Sequence, residues 1–80
     1  MAAMTDAEKL RVLLPHWMEH NAEHAAEFRE WAGRVLAAGH EHAAGNIEAA
    51  AEQLEQANDA LAAAMEKLGV PLEGHHGAEP

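Results

Sequence analysis

Apolar residues along the 80-residue chain recur at steps of three and four, the period of an amphipathic helix, and no segment alternates with the two-residue period of a strand. Thr5-Asp6-Ala7-Glu8 has the form of a capping box, so a helix is expected to start at about Asp6 and to present Leu10, Leu13 and Leu14 on one face. Pro15 lacks a backbone donor and disfavours helical geometry at Leu14, which predicts that the first helix stops or kinks there, its span being 6–14. Proline also suits the first position of a helix. A second helix is therefore predicted over 15–38, with Trp17, Asn21, His24, Phe28, Trp31, Val35 and Ala38 forming a heptad seam in which Asn21 and His24 are the polar members.

Gly39 is placed to stop this helix, and residues 40–46 carry the polar and glycine signals of a turn. The third predicted helix, over 41–68, has the strictest repeat: Ile47, Leu54, Leu61 and Leu68 recur every seven residues, with Ala50 or Ala51, Ala57 and Met65 filling the seam. Run backwards, the repeat brings His40 onto the same face and leaves Gly45 as a weak point inside the helix. Gly69-Val70-Pro71 ends it.

These elements predict an all-α domain over 1–72, in which a short first helix (6–14) leads into an antiparallel hairpin, and a disordered histidine-containing tail over 73–80. The two longer helices, at about 22 residues or more, each reach about 33 Å. A hairpin buries one stripe per helix, and a chain this short gains barely enough apolar burial to offset its ordering entropy. Pairing of two copies into a four-helix bundle is therefore expected.

Composition narrows the chemistry. The absence of cysteine excludes disulfides, zinc fingers, iron–sulfur clusters and thiol nucleophiles, so any metal must be held by histidine and carboxylate. With 14 acidic and 5 basic residues the formal net charge is −9, which argues against nucleic acid or an anionic membrane as partner. No apolar run approaches the roughly 20 residues of a membrane span, and the amino-terminal residues lack the blocks of a secretion signal, so a cytoplasmic location is expected. Thr5, inside the cap, is the sole hydroxyl side chain, and there is no glycine-rich phosphate loop; an enzyme is not expected.

His16, His20 and His24 stand four residues apart. On a helix each adjacent pair lies about 6 Å apart and can chelate one divalent ion, whereas His16 and His24, about 12 Å apart, cannot share one. Glu23 and Glu27 lie beside the row as oxygen donors, and two nitrogens with carboxylate suit Zn²⁺ or Ni²⁺ better than Ca²⁺ or Mg²⁺. Against this, a seam histidine such as His24 between Trp17 and Phe28 commonly serves as a hydrogen-bonded packing residue. His40 and His42 form a second cluster, roughly 20 Å from His24 along the helix, readable as ligands or as turn polarity. The acidic residues Glu48, Glu52, Glu55, Asp59 and Glu66 read as a solvated outer face. HExxH is absent, and the helical segments lack the paired Glu-x-x-His motifs of a ferritin-like di-iron bundle.

The run LRVLLPHWMEHNAEHAAEFREWA (10–32), with its PHW-x-EHN-x-EH core, and the later LEQANDALAAAMEKLG resemble a family of small prokaryotic all-helical domains without an assigned function. Together they cover about half of the chain, and the resemblance implies a small helical unit with no activity to carry across. Two principal readings follow: a zinc- or nickel-binding hairpin using the histidine row, for buffering, delivery or metal-dependent assembly; and a non-catalytic interaction or dimerisation module whose histidines are structural or pH-responsive.

Overall fold

A computed structural model describes residues 3–69 and places two helices there, α1 (Asp6–Ala37) and α2 (Glu41–Leu68), with no strand among the described residues. They pack antiparallel along their length as an all-helical hairpin. The tail over 73–80, together with Val70 and Pro71, lies outside the described residues.

The start of α1 follows the expected capping chemistry. Thr5 Oγ1 accepts from the Glu8 backbone N–H at 3.1 Å and Glu8 Oε1 accepts from the Thr5 N–H at 2.9 Å, so two backbone donors at the helix start are satisfied. The turn is tighter than the 40–46 segment suggested. Gly39 adopts φ +96°, and the N–H groups of Gly39 and His40 reach back to the carbonyls of Leu36 (2.9 Å) and Val35 (2.8 Å), the bond pair of a Schellman motif. His40 then serves as the N-cap of α2 through its backbone alone, with no side-chain capping bond. The predicted span of α2, 41–68, matches the structure.

Two expectations are corrected. The first helix does not stop at residue 14: α1 continues through Pro15 as a single helix of 32 residues, so the separate helices over 6–14 and 15–38 are one. An interior proline costs about 3 kcal/mol through its lost hydrogen bond and ring clash. Packing on both sides of Pro15 opposes that cost. Leu14 is almost wholly buried, Arg11 and Met18 lie half-buried beside it, and the Arg11 side chain donates from Nε to the Leu68 carbonyl at 2.6 Å, tying this end of α1 to the last turn of α2.

The second correction is rotational. The predicted seam of α1 ran through Trp17, His24 and Trp31, but all three are exposed, with Trp17 at 44% and Trp31 at 49%. The side facing α2 is Leu14, Met18, Asn21, Ala25, Phe28, Ala32 and Val35, which keeps Asn21, Phe28 and Val35, moves Trp17, His24 and Trp31 one residue on, and leaves out Ala38, the exposed C-cap. On α2 the seam is Ala44, Ile47, Ala51, Leu54, Asn58, Leu61, Met65 and Leu68, which takes Ala51 from the two alternatives Ala50 and Ala51 and puts Asn58 in place of Ala57. Alanine explains the rotation. Ala25, Ala32, Ala44 and Ala51 are the buried residues of the hairpin together with Leu14, and small side chains let the backbones approach closely, which a tryptophan between the helices would prevent.

Ala51 is fully buried, so Ala51→Leu is expected to lower stability by about 1–3 kcal/mol through overpacking, read as a reduced melting temperature. Gly33 and Gly45 sit inside helices with open space where a Cβ would stand. Gly33→Ala and Gly45→Ala should each raise stability by about 0.5–1 kcal/mol in the same measurement.

Candidate functional site

Seven-residue spacing sorts the α1 surface into rows. Leu14, Asn21, Phe28 and Val35 form the centre line, and Arg11, Met18, Ala25 and Ala32 turn from it toward α2. Leu10, Trp17, His24 and Trp31 turn the other way, flanked further out by Leu13, His20, Glu27 and Arg34. On α2 the corresponding outward row is Ala43, Ala50, Ala57 and Ala64, flanked by Asn46, Gln53, Ala60 and Lys67. Because the helices are antiparallel, these outward rows lie on one side of the hairpin. A shallow apolar depression lined by Phe28, Trp31, Asn46, Ile47 and Ala50 joins them.

The opposite side is charged and polar. Arg29 reaches across from α1 to α2, its Nε 3.3 Å from Glu48 Oε1 while its terminal nitrogens form a two-pronged pair with Glu55. Its hydrogen bond to Glu55 and the negative charges of Glu55 and Glu48 hold the Arg29 guanidinium above its ordinary range, outweighing the opposing effect of desolvation. Glu52 and Asp59 also fall on the charged half of α2, whose acidic residues avoid the alanine half completely. The acidic residues thus form an outer face as expected, with Glu48 and Glu55 engaged by Arg29.

Each expected ligand is exposed, and they divide among positions. His24 stands in the tryptophan row, and its Nδ1 is 3.7 Å from Glu27 Oε1, with both side chains about three-fifths exposed. Its ring lies 6.3 Å from that of Phe28, tilted by 33°. His20 is in the next row out, and His16 and Glu23 lie further round, toward the back of the helix. His40 sits at the turn and His42 in the first turn of α2, at the far end of the hairpin from His16. Among the described residues no group of three or more histidine and acidic side chains comes close enough to hold a metal ion.

Sequence reading passed over two interactions. Asn21 Nδ2 donates to Asn58 Oδ1 at 2.9 Å, and Asn58 Nδ2 donates to the Met18 carbonyl at 2.9 Å, inside an otherwise apolar seam. Asn21 was visible as a polar seam member, but its partner emerges only once the helices are aligned. The second is Arg34, which pairs with Glu30 at 3.4 Å and lies over the Trp31 ring at 4.6 Å, covering one face of it.

The chain matches, over residues 10–68, a family described as a domain of unknown function (DUF8180). It is 36% identical over 62 residues to an uncharacterized protein of Archaeoglobus fulgidus, an alignment that takes in 78% of this chain and 98% of the relative. No solved structure matches. The chain belongs to that family of unknown function, in agreement with the small unassigned helical family its PHW-x-EHN-x-EH block resembles. No helix among the described residues is long and apolar enough to cross a membrane.

A polar pair inside an apolar seam selects one alignment at some cost in stability. Asn58→Leu alone should destabilise by about 1–2 kcal/mol, because Asn21 loses its partner. The double replacement Asn21→Leu with Asn58→Leu should recover that loss while broadening the backbone amide resonances in NMR spectra, as alternative alignments become accessible.

Proposed function

We propose that, within this family of unknown function, the hairpin is a non-catalytic assembly module: a second copy covers its tryptophan and alanine side and completes a four-helix bundle. One observation carries this reading. The alanine seam leaves no large side chain fully buried among the described residues and turns Trp17 and Trp31 half into water along the same side as the alanine row of α2.

Three features favour a second copy as the occupant. About a two-fold axis α1 packs on its own mate and α2 on its own, so the alanine row lets the two α2 helices approach closely while the large α1 side chains fill the space between the α1 helices. Charge allows it as well. Despite a net charge of −9, the α2 half of this side carries no acidic residue, so like-charge repulsion is concentrated on the opposite face. Size is adequate too: α2 extends about 42 Å, and two adjacent helices are roughly 20 Å across, giving about 800 Å² per copy, the area of a standard specific interface.

Covering half of a tryptophan removes about 100 Å² of mostly apolar surface, or roughly 2.5 kcal/mol before association costs. The two tryptophans of each copy therefore supply a large part of the driving force. Leu36, on the opposite side, is the exposed leucine that such a pairing leaves uncovered.

Sedimentation at tens of micromolar should give twice the chain mass for the wild type and the chain mass for Trp17→Glu with Trp31→Glu, with helical content retained in both because neither residue belongs to the hairpin seam. A wild-type protein that sediments as a single chain at that concentration would refute the reading.

A further inference from the structure

His24 lies midway between the two anchors of the proposed interface, seven residues from Trp17 and seven from Trp31 in the same row. His20 is four residues before it on a continuous helix, so the two rings project from neighbouring turns about 6 Å apart and can reach one ion. Both are exposed on the side left open by the alanine seam. Glu27 lies 3.7 Å from His24 Nδ1, close enough after a small rotation to take that N–H and leave Nε2 for a metal.

Two nitrogens do not complete a transition-metal site, since a tetrahedral ion takes four ligands. The chain supplies no third from its described residues: His16 is about 12 Å from His24 and further round the helix, and His40 and His42 are at the turn. Donors related by symmetry would come from a second copy. If α1 of one copy runs antiparallel to α1 of the other about a two-fold axis midway between His20 and His24, His20 of each stands level with His24 of its mate, and all four rings lie within about 3 Å of the axis along the helix direction.

We propose that His20 and His24, together with the same pair from a second copy, form an inter-chain site for a divalent transition-metal ion such as Zn²⁺ or Ni²⁺, with Glu27 orienting the His24 ring. The site rests on the assembly reading, because one chain holds only half of it. Four imidazoles suit zinc, nickel or copper and disfavour calcium and magnesium, which prefer oxygen. Metal occupancy then locks an interface that apolar burial starts, and above the Kd it stabilises the paired form with the logarithm of free ion concentration.

The test is calorimetric titration of zinc chloride and nickel chloride into the full, tag-free chain, with sedimentation in chelator and in metal. One ion per two chains is expected, at a Kd tighter than about 100 μM. His24→Ala and His20→Ala should each weaken binding at least about tenfold, and His16→Ala should leave it unchanged. Because His20 and His24 are exposed, circular dichroism should show all three variants as helical as the wild type. One ion per chain, affinity weaker than about 100 μM, or equal affinity in His24→Ala would overturn the shared site. A dimer in chelator that binds no zinc removes the metal site and leaves the assembly reading standing. A single chain in chelator that pairs on adding zinc supports the shared site and overturns closure by apolar burial alone. A single chain under both conditions overturns both.

Discussion

Close approach of two alanine-lined helix faces is the constraint on which the rest of this structure depends. Ala25 and Ala32 on α1 meet the side of α2 that carries Ala44 and Ala51, and these four, with Leu14, are the residues withdrawn from water. Such a contact is narrow and brings backbones near, but it removes little apolar area per residue. The two tryptophans therefore settle beside the seam and not within it. From that one choice follow the half-exposed tryptophans, the open side shared with the outer alanines of α2, and a core whose one large buried side chain among the described residues is Leu14.

A narrow seam also needs devices that hold its alignment. The Schellman turn at Gly39 sets where α2 begins, Asn21 and Asn58 join the helices midway, and Arg11 bonds the last turn of α2. Arg29, between Glu48 and Glu55, adds a bridge on the charged side; exposed ion pairs contribute little to stability, and salt weakens them further. Its importance is directional. It places the acidic half of α2 opposite the aromatic side and so leaves the aromatic side nearly free of negative charge.

The histidines change meaning in this frame. As a row read along one helix they suggest overlapping two-nitrogen sites, none of them complete. Once the seam is known, His24 joins the tryptophans on the open side, His20 flanks it, and His16 turns away. What the row can do then depends on what faces that side, and so on assembly, whereas the cluster at His40 and His42 stays apart at the turn.

Several features were determined by the sequence alone, because they arise from interactions between near neighbours. The capping box at Thr5, the glycine stop after α1, the span of α2 and the all-helical class are all properties of short windows, and family membership follows from the PHW-x-EHN-x-EH block and its surroundings. Tertiary structure decided what such windows cannot hold. Pro15 stays helical because Leu14 and Arg11 are packed against α2, a contact between residues more than fifty apart in the chain. The seam lies one residue round from the large apolar positions because a helix carries a stripe wider than one neighbour can cover, and periodicity gives the width of that stripe without saying which edge a neighbour takes. That choice went to the alanines, since close backbone approach along the whole hairpin was available only there.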